Sequence, residues 1–114
     1  MNTLLNSHCV PCEGGVNPLT RGEFTVYLPQ IVHWTVLQDR RLEREFICKN
    51  FQTAIDVINA IAVVANEQGH HPDILLHDYK KVKVMLTTHA IGGLSINDFV
   101  MAVKIDSTVH PLVS

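Results

Sequence analysis

The chain has 114 residues, of which 46% are hydrophobic and 18% charged, and its formal net charge is −2. This length and composition fit one globular domain with a single core. The charge provides no basic surface of the kind that holds nucleic acid or anionic lipid. The longest wholly apolar run, residues 60–65, is far shorter than the ~20 residues that span a bilayer. We therefore expect a protein that binds neither nucleic acid nor membrane.

The first 17 residues are predicted to form a flexible N-terminal arm. They lack the basic and apolar segments of a secretory signal, so we expect a cytoplasmic protein. An odd number of cysteines without an export signal argues against a disulfide framework. Cys9 and Cys12 form a CxxC motif next to His8, which amounts to half of a zinc site. Metal binding by the arm is therefore one alternative hypothesis.

A first helix is predicted to begin after Thr20. Thr20 and Glu23 have the spacing of a capping box, and apolar residues follow at helical intervals. Pro29 is expected to end or kink this helix. Residues 34–38 and 42–48 then predict two strands of a hairpin.

The clearest pattern in the chain predicts a helix over residues 51–68, where apolar residues recur at i, i+3, i+4 and i+7. Asn50 is a suitable N-cap for this helix. Gly69 is suited to the left-handed conformation that ends a helix.

Two further strands and a final helix complete the predicted elements. The strands are expected over residues 74–78 and 81–89, and strict alternation in the second indicates a half-buried strand. Ser95 is the predicted N-cap of the last helix, with Asp98 at its N3 position. The order α-β-β-α-β-β-α, with strands in hairpins, predicts an α+β two-layer sandwich. We expect one four-stranded antiparallel sheet with helices on one face.

Four of the seven histidines lie between residues 70 and 89. His70 and His71 follow a helix C-terminus and precede Pro72, which restricts their backbones. His89 is predicted to end the last strand, and a helix end and a strand end can meet at one rim of such a fold. Three histidines there could exchange protons near neutral pH.

Other interpretations of these histidines stay open. His70 and His71 could simply cap the helix carbonyls and complement its dipole. A zinc site is a second alternative, although adjacent histidines are poorly placed to bind one ion together. His77, in the middle of a predicted strand, is interpreted as an exposed sheet residue.

The spacing of these residues resembles the motif of the pterin-4a-carbinolamine dehydratases. In this chain the motif runs from Asn66 through the His70-His71-Pro72 tripeptide, then six residues to Tyr79, nine to His89 and eight to Asp98. Trp34 and the segments REFIC, TTHAIGGLS and VKID also resemble the family. The resemblance predicts a dehydratase-like domain over residues 18–107, leaving 108–114 as a C-terminal tail.

The resemblance implies a hydro-lyase that removes water from 4a-hydroxytetrahydrobiopterin to give quinonoid dihydropterin. It implies no metal and no organic cofactor, with histidines acting as general acid and base in tetrahydrobiopterin regeneration. It also implies a functional link to a pterin-dependent aromatic amino acid hydroxylase. A homo-oligomer, dimer or tetramer, is expected from the family as well.

The resemblance also assigns roles to residues. It implies that His70, His71 and His89 are catalytic, with His70 and His89 as the main acid/base pair. The expected substrate-binding residues are the three histidines together with Gly69, Thr87 and Thr88. Asp98 and Asn66 are expected to support the site, although an acidic residue at N3 also has a purely structural use in a capping box.

An alternative function of a different class is a non-catalytic dimerisation or partner-binding protein with the same fold. Such a role would depend on apolar helix surfaces and not on the histidines. Replacement of His89 by alanine would separate the two hypotheses, because it should abolish dehydration and leave partner binding intact.

Overall fold

The computed structural model describes residues 4–10 and 16–113. Its helices are α1 (Arg21–Phe24), α2 (Phe51–Gln68) and α3 (Ile96–Val113), and its strands are β1 (Thr35–Leu37), β2 (Arg41–Ile47), β3 (Asp73–His77) and β4 (Lys81–Leu86). This order, with one four-stranded antiparallel sheet, confirms the predicted α+β class. Among the helices of the described residues, none is long and apolar enough to cross a membrane.

The first helix is shorter than its sequence pattern predicts. The capping box is present, because the Thr20 side chain accepts from the Glu23 backbone and the Glu23 side chain accepts from the Thr20 backbone. After Phe24 the chain tightens into a 3₁₀-helix, Thr25–Gln30, which contains Pro29. A proline has no N–H to donate, so a tighter turn replaces the predicted α-helical continuation.

The strands are ordered β1-β2-β4-β3, so β2 and β4 form the centre of the sheet. Leu42 is opposite Leu86 in the β2–β4 pair, and Asp73 is opposite Met85 in the β3–β4 pair. This register brings the start of β3 and the end of β4 to the same end of the sheet. The segments that carry His71 and Thr87 therefore emerge close together.

The two faces of the sheet differ in burial. On one face the side chains are almost completely buried against the helices: Leu42, Phe46, Val82, Val84 and Leu86. The alternate residues of the same strands are exposed or half-buried. The apolar side of α2 and most of the first three turns of α3 complete this core.

The central helix matches its prediction over its whole length. Asn50 caps its start by accepting from the Thr53 backbone N–H at 2.8 Å. Gly69 ends it with a left-handed backbone at φ 64°. The chain reverses at a fixed point as a result, and the two residues that follow are held at the rim of the sheet.

Residues on both sides of the predicted domain contact the two long helices. In the described part of the N-terminal arm, Leu4 is buried and the Cys9 N–H donates to the Gln68 side chain at 2.9 Å. At the other end, α3 continues without a break from residue 107 to Val113, and Val109 is fully buried. Cys12, the second cysteine of the CxxC motif, lies outside the described residues.

A partly buried ion pair joins the sheet to α3. Asp106 accepts from the indole N–H of Trp34 at 2.9 Å and from the Arg44 guanidinium at 2.6 Å. Burial raises the pKa of the Asp106 carboxyl above its ordinary value, and the hydrogen bonds from Trp34 and Arg44 oppose that shift.

Candidate active site

The first part of the site is built by the end of α2. The left-handed backbone of Gly69 turns the chain, and the His70 N–H still donates to the Ala65 carbonyl at 3.3 Å. His70 is therefore held against the helix end, while Pro72 restricts His71 to an extended backbone. Backbone geometry thus fixes where these two histidines leave the end of the helix.

The second part follows the end of β4, where the structure corrects one prediction. The strand ends at Leu86, and His89 lies in a short 3₁₀ turn, His89–Ile91, closed by Gly92 with φ 69°. The strand was expected to reach His89. It stops earlier because the Thr88 backbone pairs with Gly93 instead of a neighbouring strand, with the Thr88 N–H donating to the Gly93 carbonyl at 2.8 Å.

The third part is the start of α3, where the predicted cap is present in a modified form. Oδ2 of Asp98 accepts from the Ser95 backbone N–H at 3.0 Å, as a carboxylate at N3 does in a capping box. The Ser95 hydroxyl pairs with Thr88 Oγ1 at 2.7 Å instead of capping the helix. This hydrogen bond links the start of α3 to the segment that follows β4.

The first two parts line one cavity of about 320 Å³, which we call the histidine cavity, and the start of α3 lies behind it. Its lining contains every residue predicted to bind substrate: Gly69, His70, His71, Thr87, Thr88 and His89, together with Ala90. The segment after α2 and the segment after β4 therefore meet at one rim of the fold. The volume is at the lower end of the range for small-ligand pockets, about 300–1,000 Å³.

A buried carboxylate connects two sides of the cavity. Oδ1 of Asp98 lies 2.7 Å from Nε2 of His70, and Oδ2 accepts from the Thr88 hydroxyl at 2.8 Å. Asp98 is fully buried, and the side chain of His70 is 12% exposed. An ionised carboxylate can only accept, so with Asp98 ionised and His70 neutral the imidazole proton is on Nε2 and Nδ1 is left to accept one. Since Thr88 donates its single hydroxyl proton to Asp98, the Ser95 hydroxyl donates to Thr88.

His71 is held differently from its neighbour. Its Nε2 lies 3.0 Å from Oδ1 of Asn66, in the last turn of α2, and both residues are exposed. Water competes for such a contact, so Asn66 restrains the imidazole less firmly than Asp98 restrains His70. His89 is exposed as well.

The remaining predicted features lie away from the cavity. His77 is on the open face of the sheet, where it pairs with Glu45 and, at 3.3 Å, with Asp78. Tyr79 is 61% exposed in the turn between β3 and β4, at the far end of that hairpin. Within residues 4–10 and 16–113, no group of three or more His, Cys, Asp or Glu side chains is arranged to hold a metal ion.

Sequence reasoning missed two features of the site. Ser95 was identified only as a helix cap, and nothing in its sequence context indicates that its hydroxyl would reach Thr88. A second cavity of about 290 Å³ also adjoins the first, and it contains Arg40 and Arg41, where the β1–β2 turn enters β2. Only the register of β2 against β4 reveals that this turn lies beside His89.

Comparison with known proteins finds similar sequences over most of the chain. The family model described as pterin 4 alpha carbinolamine dehydratase matches residues 17–108. A protein of Alkaliphilus metalliredigens that bears the pterin-4-alpha-carbinolamine dehydratase name is 47% identical over 107 residues, covering 93% of this chain and 96% of its own. A protein of Chlorobaculum tepidum with the same name is 42% identical over 112 residues, covering 96% of this chain and 100% of its own.

A solved structure is similar over most of the chain. The crystal structure of a transcriptional coactivator/pterin dehydratase from Brucella melitensis superposes with a TM-score of 0.74 and 31% identity. The match covers 82% of this chain and 99% of that one.

Proposed function

Because the chain belongs to the pterin-4-alpha-carbinolamine dehydratase family, we propose that it dehydrates a 4a-hydroxytetrahydropterin in the histidine cavity. The reaction in this proposal is the one that 4a-hydroxytetrahydrobiopterin undergoes, and its products are quinonoid dihydropterin and water. The single observation that carries the proposal is the cavity itself, which is lined by His70, His71 and His89 together.

The reaction needs two proton transfers. The bond between C4a and the hydroxyl oxygen breaks, and a proton given to that oxygen lets it depart as water. The proton on N5 is taken away, and its electron pair forms the double bond between N5 and C4a. An acid and a base within reach of one ring therefore suffice, and each supplies about 10²–10⁴-fold.

We assign the two transfers to His70 and His89. They reach the cavity from different segments, one after α2 and the other after β4, so a ring bound between them meets an imidazole from each segment. His70 is held by Asp98 with one nitrogen left for the substrate. His71, held by Asn66, binds and orients the pterin, and Gly69, Thr87 and Thr88 complete the contacts.

A stopped-flow absorbance experiment tests this proposal. Chemically prepared 4a-hydroxytetrahydropterin is mixed with the wild-type protein and with the His70→Ala and His89→Ala variants. We expect the wild type to accelerate decay to quinonoid dihydropterin and each variant to lose about 10²-fold or more of that acceleration. His77→Ala is the matched control, since His77 lies outside the cavity.

The control decides between catalysis and folding. A wild-type rate equal to the uncatalysed decay would overturn the proposal. Equal losses in the His77 variant would show that the effect of removing a histidine is not specific to the cavity.

The second candidate function is partner binding without catalysis. The similar protein from Brucella melitensis is described as a transcriptional coactivator as well as a dehydratase, which favours keeping this alternative. It predicts that the His89→Ala variant retains its partner, whereas catalysis predicts the loss of turnover in the same variant.

Two further parts of the proposal concern the cellular setting. We infer that the protein works as a homo-oligomer, dimer or tetramer, and that it serves a pterin-dependent aromatic amino acid hydroxylase. Light scattering on the purified protein tests the first part. Coupled hydroxylase assays with and without the protein test the second, because faster return of the pterin sustains hydroxylation.

A further inference from the structure

The cavity beside the histidine cavity shares part of its wall. Thr87 and His89 line both. The remaining lining of this second space, which we call the arginine cavity, consists of Leu37, Gln38, Arg40, Arg41 and Gly92. The arginine cavity is therefore the nearest space for a substituent that projects past His89 from a molecule bound among the histidines.

The arginine cavity has positive charge without an acidic partner. Neither Arg40 nor Arg41 lies within ion-pair distance of a carboxylate of the described residues. The adjacent acid, Asp39, is bound by Arg21 at 2.6 Å. Among residues 4–10 and 16–113, no acidic residue lines this cavity. In a chain whose net charge is −2, two uncompensated arginines beside a candidate active site call for an anionic ligand.

The backbone that carries these arginines is fixed to the site. Gln38 and Asp39 form a tight turn with left-handed backbones at φ 54° and 56°. The Arg40 carbonyl accepts from the Thr87 hydroxyl at 2.7 Å. The turn is therefore attached to the strand end that lines both cavities, and its two guanidinium groups start from a defined position beside His89.

We propose that the arginine cavity binds an anionic group on the side chain of the pterin, so that the preferred substrates are pterins with a phosphate ester or a carboxylate. This inference rests on the proposed function, because it requires a pterin ring in the histidine cavity. Guanidinium groups suit this role, since they bind phosphate and carboxylate oxygens through paired N–H donors. Arg40 and Arg41 are then specificity-determining residues and take no part in proton transfer.

Binding of stable dihydropterins tests the inference without any turnover. We would compare 7,8-dihydroneopterin with its 3′-monophosphate by isothermal titration calorimetry, because the two differ only in the phosphate. At low ionic strength we expect the monophosphate to bind about tenfold more tightly. In the double variant Arg40→Gln/Arg41→Gln this difference should disappear, while the affinity for 7,8-dihydroneopterin stays unchanged.

A matched control removes a different surface cation. Lys49 is exposed and lies beyond the opposite end of β2 from Arg41, so Lys49→Gln changes the net charge without touching the cavity. That variant should keep the tenfold preference. High salt should weaken the preference in the wild type, because exposed charges are screened.

A third ligand separates the two sources of negative charge. 7,8-Dihydrofolate carries carboxylates in place of a phosphate. If the double arginine variant loses affinity for dihydrofolate but not for the monophosphate, the cavity binds a carboxylate. If it loses affinity for the monophosphate but not for dihydrofolate, the cavity binds a phosphate ester.

The outcomes distinguish this inference from the function on which it rests. Equal affinities for the neutral and both anionic pterins would overturn the inference and leave the proposed function intact. A preference that survives the loss of both arginines would overturn it as well. Absence of binding by every pterin would overturn the proposed function and the inference together.

Discussion

Oδ1 of Asp98 lies 2.7 Å from Nε2 of His70, and this contact joins the start of α3 to the segment that follows α2 at the histidine cavity. The same carboxylate accepts from the Ser95 backbone N–H and so closes the first turn of α3. Asp98 thus has a structural role as a helix cap, and the same carboxylate orients the imidazole of His70, a candidate catalytic residue. Helix capping and site geometry cannot be altered separately at this position.

We expect the Asp98→Asn variant to bind pterin but to carry the His70 ring proton on the wrong nitrogen. The amide oxygen must stay where Ser95 and Thr88 donate, so the amide NH₂ faces His70 and moves the imidazole proton to Nδ1. We expect the rate of dehydration to fall about a hundredfold or more. Nitrogen NMR shifts of the His70 ring report the tautomer directly. An unchanged tautomer with an unchanged rate would contradict this prediction.

Removal of the Thr88 hydroxyl should destabilise the fold. In Thr88→Val the shape is kept, but Oδ2 of Asp98 loses a donor and the buried Ser95 hydroxyl loses its acceptor. We expect the free energy of unfolding to fall by about 1–3 kcal/mol. Urea denaturation measures it. Thr87→Val is the matched control, with a smaller loss of about 0.5–1 kcal/mol because Thr87 is only half-buried.

Gly69→Ala is expected to cost about 1 kcal/mol of stability, because an L residue with a Cβ is strained at φ 64°. Apart from the chain neighbours of Gly69, no atom of the described residues lies within 4 Å of the added Cβ, so the cost is one of backbone conformation and not of crowding. Gly22→Ala, within α1, is a control in which stability should increase, since alanine stabilises a helix relative to glycine by about 0.5–1 kcal/mol. Thermal unfolding of both variants measures the two changes. A stabilised Gly69→Ala variant would exclude this account of the helix end.

Stability should depend on pH through Asp106. Its pKa is raised in the folded protein, because burial outweighs the hydrogen bonds from Trp34 and Arg44. A raised pKa means that the folded state holds the proton more tightly than the unfolded state. Its contribution to stability is then fully present below the unfolded pKa and is lost as pH rises through the folded pKa.

The Asp106→Asn variant isolates that contribution. We expect the stability of the wild type, measured relative to this variant by urea denaturation, to decrease as pH rises from the ordinary aspartate pKa of 3.8 towards neutrality. A relative increase over the same interval would mean that the ion pair with Arg44 dominates over burial.

The local features of the fold were predictable because each has a local cause. The helix from Phe51 to Gln68 follows from its apolar spacing, an N-cap and a terminal glycine, all within one segment. The alternation along β4 likewise predicted which side chains are buried. The strand end was wrong by three residues, because Thr88 pairs with Gly93, and an isolated bridge of that kind has no periodic signature.

The amino-acid sequence by itself determined the types of the elements and the family motif, and through the resemblance it predicted every residue that lines the histidine cavity except Ala90. Only the tertiary structure decided which of these residues touch. The contact between Asp98 and His70 spans 28 positions, and the contact between Thr87 and Arg40 spans 47. Contacts at such separations depend on strand register and on how helices cross the sheet. These arrangements are fixed by packing of the whole core, so no short segment encodes them.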